Sequence, residues 1–307
     1  MSQKIEDSNI ETQKTSYLKK HWLGHHSLAR AFWVNNWLIS ITLSFSLFAW
    51  MLISSENEDP VFFARVILAY TFFNFLIVFP WQVIGLWRTT SRYIESKLKF
   101  IWAWLVRIIL LFGITFSTVS EIEDIDWYKQ LYFDAFVLSK NQNYDVKIYK
   151  DNLVINGNFD YGISDKVNDI LDKNKNIKTV ILNSEGGLLY EANQISKTIL
   201  LNSLNTYTYD ECSSACTIAF ISGNKRYIHE SAKLGFHKYS IARPGAKIDQ
   251  LDMMSLFMDQ KKDAEFFEKR GVAKEFTHMM YQADSNEMWY PSIFALKYYG
   301  LIHGTKK

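Results

Sequence analysis

Three groups of residues in the second half of this chain have side chains or backbone amides that can do chemistry. The first is the glycine pair of Ser184-Glu185-Gly186-Gly187, which follows the apolar run TVILN and precedes a helical pattern from Leu189 to Leu201. Glycines at a strand-to-helix turn answer a need for positive φ. The same turn also leaves backbone N–H groups pointing outward, where they can hold a developing oxyanion. The second group is Cys212-Ser213-Ser214-Ala215-Cys216, opening the short apolar stretch CSSACTIAFIS. Serine suits the start of a helix as a cap, and its hydroxyl becomes a nucleophile only with a base in hydrogen-bond reach. The third is His237, at the end of the strand-like AKLGFH. It reads either as a satisfied, partly buried histidine or as that base.

The elements that must position these groups follow from the pattern after about residue 145. DVKIYK and NLVING read as two strands joined by a tight turn, Ile163 to Leu171 has helical spacing, and TVILN is a buried strand. NTYTYD, KRYIH and AKLGFH are further strands, CSSACTIAFIS reads as a short helix, and residues 250 to 299 as three helices. Short strands alternating with helices predict an α/β fold. Cys212 and Cys216 are the only cysteines, too few for a disulfide framework and wrongly spaced for a CxxC motif. Four apart, they are expected on one face of the helix that Ser214 opens, as small packing residues or, in an oxidising compartment, as a disulfide bracing the turn.

The first 120 residues are of another kind. Aromatic content is 16% with ten Trp, and the excess is concentrated there. Trp33 to Ile53 is uncharged, Val61 to Trp87 is apolar apart from Arg65, and Leu98 to Val119 carries Lys99 at its start and one charge in its interior, Arg107. Each is long enough to cross a hydrocarbon core of about 30 Å, Pro80 being tolerable inside a membrane. Spans are therefore predicted at 33–53, 61–87 and 98–119, within a membrane region 31–120 that follows a tail 1–30 and precedes a linker 121–144 and a domain 145–307. Lys14, Lys19, Lys20 and Arg30 precede the first span, and Arg88, Arg92, Lys97 and Lys99 separate the second from the third; the other flanks are acidic. The positive-inside rule then puts the N-terminus in the cytoplasm and the C-terminal domain outside it. Arg107 is expected to snorkel or pair with another helix, and His21, His25 and His26 to meet lipid headgroups. The net charge of +2, without a basic stripe interleaved with aromatics, argues against nucleic acid.

LNSEGGLLYEANQISKTI, then CSSACTIAFISGNKRYIHESAKLGFH, then YYGLI resembles, in order and spacing, the ClpP-class serine peptidases of the ClpP/crotonase-like superfamily. The likeness is to its membrane-associated or exported bacterial members and covers roughly residues 145 to 304. It implies a crotonase-like architecture of ββα units. Carried over by position, it implies Ser214 as nucleophile, His237 as general base, and the amides of Gly187 and Ala215, with Gly186 beside them, as the oxyanion hole. For the third catalytic member, Met288 occupies the aligned position. Asp284, or alternatively Glu287, is then the nearby carboxylate that could orient His237, and no lysine is nominated by a motif for a Ser-Lys dyad.

Together these readings predict a multi-pass membrane protein of three spans followed by an α/β serine peptidase in the bacterial inner membrane, facing the periplasm. It is expected to need no metal or organic cofactor, to act on peptide or protein substrates, and to form a homo-oligomer through the apolar residues between Gln250 and Lys269. Two alternatives stand beside this. One is a catalytically silent binding or scaffold module, which the missing third member favours. The other is acyl-CoA chemistry, disfavoured because coenzyme A is cytoplasmic.

Overall fold

The structure is a computed structural model that describes residues 16–54, 59–97, 99–123, 125–140, 142–240 and 250–306. Lys14, one of the residues used for the orientation argument, lies outside them. The chain divides into two compact units, with the division near residues 129 and 130.

In the first unit a short helix, α1 (Tyr17–Trp22), precedes three helices long and apolar enough to cross a membrane: Arg30–Ser54, Pro60–Glu95 and Phe100–Ser120. The first begins as a π-helical stretch and continues as α2 (Ile39–Ser54). The second runs as α3 (Pro60–Phe73), a π-helical stretch over Asn74–Val78, and α4 (Phe79–Glu95). Pro80 stands at the start of α4, where the change of winding accommodates its missing N–H. The third lies within α5 (Phe100–Glu123). Trp33, Phe45, Phe75, Trp102 and Phe112 are exposed along these helices, as side chains facing lipid would be.

Arg107 pairs with a neighbouring helix. Its guanidinium stacks 4.0 Å over Trp87 and donates to Ser91 Oγ at 2.5 Å, both on α4. His21, by contrast, departs from the headgroup expectation. It is fully buried, with Nδ1 2.7 Å from Asn35 Nδ2 and its ring against Gly85 and Trp81. The absence of a side chain at Gly85 makes that space, since a Cβ there would lie 2.4 Å from the imidazole.

The second unit is a mixed α/β domain. The stretch expected to be a linker contributes a helix, α6 (Ile125–Phe136). Then follow β1 (Tyr144–Tyr149), β2 (Asn152–Gly157), α7 (Ile163–Lys173), β3 (Thr179–Asn183), α8 (Leu189–Leu201), β4 (Asn205–Thr208) and β5 (Glu211–Ser213). They continue with α9 (Cys216–Ile221), β6 (Arg226–His229), β7 (Lys233–Gly235), α10 (Gln250–Lys269), α11 (Lys274–Met279), α12 (Ile293–Tyr298) and β8 (Gly304–Lys306). The main sheet has the order β1-β2-β3-β4-β6-β8, with β1–β2 antiparallel and the rest parallel. β5 and β7 form a separate two-stranded parallel sheet.

Two strands escape a reading of local pattern. β5 is only three residues long, and the apolar run that follows it hides the boundary with α9. Cys212 and Cys216 therefore do not share a helix face: the first is on β5, the second opens α9. β8 is likewise three residues, held by pairing with β6. The core is continuous beneath the sheet, built from Leu153, Ile155, Val180 and Leu182 on the strands and Val167, Ile195, Ile199, Ile218 and Phe220 on the helices. Glu191 ties α8 to α7 by accepting from the Gly162 and Ser164 amides, both at 2.8 Å, which satisfies N–H groups that a helix start leaves unpaired.

Candidate active site

The small β5–β7 sheet sets the spacing of the site. Its register pairs Ser213 with Gly235, and one residue beyond each strand the chain changes direction. Ser214 donates its N–H to Gly235 O at 2.9 Å and takes φ +53, the left-handed region that a residue with a side chain occupies at a cost. Its carbonyl then accepts from Thr217 N at 3.0 Å and Thr217 Oγ1 at 2.7 Å, locking the turn into the start of α9. On the partner strand, Phe236 exchanges two backbone hydrogen bonds of 2.9 Å with Trp289, and His237 follows.

The two side chains meet. His237 Nε2 lies 2.7 Å from Ser214 Oγ, beside a cleft of about 300 Å³ lined by Gly187, Leu188, Leu189, Asp160, Tyr161 and Tyr239 among others. The neighbouring hydroxyl has other business: Ser213 is fully buried and donates to Glu211 Oε1 at 2.6 Å, an oxygen that Tyr290 OH also reaches, at 2.7 Å. Burial holds the His237 imidazole below its ordinary pKa, and the backbone of Lys238 opposes that in part. A neutral imidazole near pH 7 can accept a proton from the serine.

The three proposed oxyanion donors separate on inspection. Gly186 is unsuitable: its N–H is engaged by Ser184 Oγ at 3.1 Å, and its carbonyl accepts from Phe159 N at 2.7 Å. Gly187 forms a parallel bridge with Phe159 in which the bonds are made by Gly186 O and Leu188 N. Its own N–H is thereby left to the opposite side. Among the described residues the amides of Gly187 and Ala215 have no hydrogen-bond partner. Both glycines need φ values closed to side chains, +114 and +139. They also need the room: a Cβ on Gly186 would stand 2.8 Å from Ser214 Cβ, and one on Gly187 2.7 Å from Phe159 O.

The third member expected from the sequence is not brought to the histidine. Asp284 is exposed and pairs with Lys238 Nζ at 2.7 Å, a cation that holds its carboxyl below the usual range. Glu287 is also exposed. His237 Nδ1 is buried and has no hydrogen-bond partner among the described residues. The salt bridge is the physical reason, because the lysine next to the histidine takes the carboxylate that spacing alone assigned to the imidazole. Cys212 and Cys216, both fully buried, form a disulfide that spans Ser214, with Cα atoms 5.3 Å apart.

Solved structures similar to part of this chain include a ClpP1. It is an asparagine-to-aspartate mutant from Listeria monocytogenes, 15% identical, with a TM-score of 0.42, over 51% of this chain and 91% of that one. No family model matches the chain, and no curated protein matches it.

What sequence reasoning missed lies just beyond the histidine. Tyr239, a wall of the cleft, is hydrogen-bonded to Asp263 on α10, and Tyr281 OH donates to Tyr239 OH at 3.2 Å. No motif marks these residues. Asp263 is one of five acidic residues in α10, and nothing in their spacing singles it out.

Proposed function

We propose that the C-terminal domain is a serine hydrolase that cleaves peptide bonds, anchored by the three apolar helices and acting outside the cytoplasm. The observation that carries the reading is the 2.7 Å contact between Ser214 Oγ and His237 Nε2 beside the Gly187 amide, which has no partner among the described residues. Ser214 Oγ attacks the scissile carbonyl while His237 Nε2 takes its proton. The Gly187 and Ala215 amides stabilise the oxyanion, and the imidazolium returns the proton to the leaving amine. Water, activated by the same imidazole, then releases the acyl group from Ser214. With Nδ1 unpartnered among the described residues, we read the site as a Ser-His dyad. Peptide bonds as the substrate are supported by the ClpP-class motifs around Gly187, Ser214 and His237.

The placement of the domain rests on the basic residues flanking the first and second spans, and a buried disulfide agrees with an oxidising compartment. Homo-oligomerisation is supported by exposed Met253, Met254 and Phe257 on α10. A fluorophosphonate probe should label the full chain in detergent and leave Ser214→Ala unlabelled. The second reading, a catalytically silent binding module, is favoured by a His237 Nδ1 that has no partner among the described residues. It predicts that the native chain stays unlabelled as well.

A further inference from the structure

The dyad leaves open what holds the imidazole in place, since a carboxylate on Nδ1 ordinarily fixes both ring orientation and tautomer. The residues on either side of His237 are held from outside their own strand. Phe236 is locked to Trp289 by its two backbone bonds, and Lys238 N donates to Ala283 O at 2.9 Å. Tyr239 is gripped at both ends by α10: its N–H donates to Gln260 Oε1 at 2.9 Å and its hydroxyl to the Asp263 carboxylate. Tyr281 closes the cluster, its ring edge-on to Tyr239 at 5.3 Å. Gln260 and Asp263 are three apart on one helix, so a single helix face reaches the amide and the hydroxyl of one residue.

We propose that Asp263 and Gln260, acting through Tyr239, are the positioning residues of the site and take over the task that a third catalytic carboxylate would perform at Nδ1. They anchor the chain two residues past His237, and the backbone between carries the constraint to the imidazole. The cluster around Asp263 comprises Tyr239 and Tyr281 across from it and Asp259 and Lys262 on its own helix; burial, chiefly, raises its carboxyl to about 6. A carboxylate kept in so dry a place is costly unless its hydrogen bonds are needed. The inference rests on the serine-hydrolase reading for its meaning in catalysis, but not for its geometry.

The test uses the full chain in detergent with two readouts. The first is the rate of fluorophosphonate labelling at saturating probe, together with the probe concentration giving half that rate. Tyr239→Phe and Asp263→Ala should each slow the saturating rate by roughly 10- to 100-fold, as a misplacement of about 1 Å does, with little change in half-saturation. Asp263→Asn keeps an acceptor for the tyrosine and should recover to within about threefold of the native rate. The second readout is the ¹³C–¹H signal of the His237 Cε1 position, which is independent of turnover. It should be a single narrow line in the native protein and should broaden or split in Tyr239→Phe and Asp263→Ala. Native labelling rates and an unchanged His237 line in both variants would overturn the proposal. So would a slowing that appears only in step with loss of the folded state on thermal unfolding. If Asp263→Ala fails to fold, Tyr239→Phe, which removes one hydroxyl, decides alone. If the native chain is never labelled, the hydrolase reading falls, and the histidine line still judges the positioning role.

Discussion

Replacing Gly186 with alanine tests the packing of the site most directly, and Gly271→Ala supplies its control. Both glycines have positive φ, +114 and +88. Placing a Cβ at such a conformation costs about 1–3 kcal/mol by itself. The surroundings differ. At Gly271 an added Cβ meets nothing within 4 Å, whereas at Gly186 it stands 2.8 Å from Ser214 Cβ, 2.9 Å from Ser213 O and 3.2 Å from Ala215 N. Two of these are backbone atoms in a turn stapled by a disulfide, so the neighbours cannot simply swing aside. Overpacking of this kind adds about 1–3 kcal/mol. Gly186→Ala should therefore destabilise the domain by about 2–6 kcal/mol, against about 1–3 kcal/mol for the control. The strain falls on the serine that faces His237, so labelling should drop by about 100-fold, while Gly271→Ala labels normally. Chemical denaturation read by tryptophan fluorescence gives the stability difference, and timed fluorophosphonate labelling gives the rate. Equal destabilisation by the two alanines, together with an unchanged labelling rate for Gly186→Ala, would refute the idea that the glycine exists to admit the nucleophile's turn.

Removing the Cys212–Cys216 disulfide as a double alanine variant should cost about 2 kcal/mol, the chain-entropy value for so short a loop, and lower the labelling rate. Full stability with full labelling would show that the hydrogen bonds of the turn suffice. His237 titrates below its unfolded value near 6.5 because burial favours the neutral ring. Its contribution to stability is then intact above pH 6.5 and is lost as the pH falls from there through the folded value. The acid limb of the labelling rate should follow the same group, with a midpoint below 6.5; a midpoint at or above 6.5 contradicts the assignment. Arg226 is buried and donates to the carbonyls of Leu301 at 2.8 Å and Gly300 at 2.9 Å. Arg226→Leu strands those acceptors and should destabilise the domain by about 1–3 kcal/mol on denaturation, without altering labelling of the fraction that remains folded.

The parts of the molecule readable in the sequence are those whose signal is local. TVILN, NTYTYD and KRYIH are strands because β-branched and aromatic residues cluster between turn residues. The apolar helices are visible from length and composition together. Gly186 and Gly187 stood out because two glycines between a strand and a helix have few uses. The features that stayed hidden are decided by neighbours far along the chain. β5 is a strand because β7 and Ser184 pair with it, not because Glu211-Cys212-Ser213 prefers extension. The fate of Asp284 depended on which cation stood nearer, and Lys238, 46 positions away, claimed it. The burial of His21 required Gly85 on another helix. Spacing along the chain cannot reveal such competitions.

The pairing of Ser213 with Gly235 has an implication for how this chain can vary. Two serines stand side by side, and the alignment of two three-residue strands chooses which hydroxyl meets the imidazole. A slip of one position would turn Ser214 inward and present its neighbour instead. Length changes in the turns on either side of β6 would leave that choice untouched, whereas a single residue added within β5 or β7 would reverse it. Anyone recombining pieces of this domain should therefore treat residues 211–214 and 233–237 as one indivisible cassette.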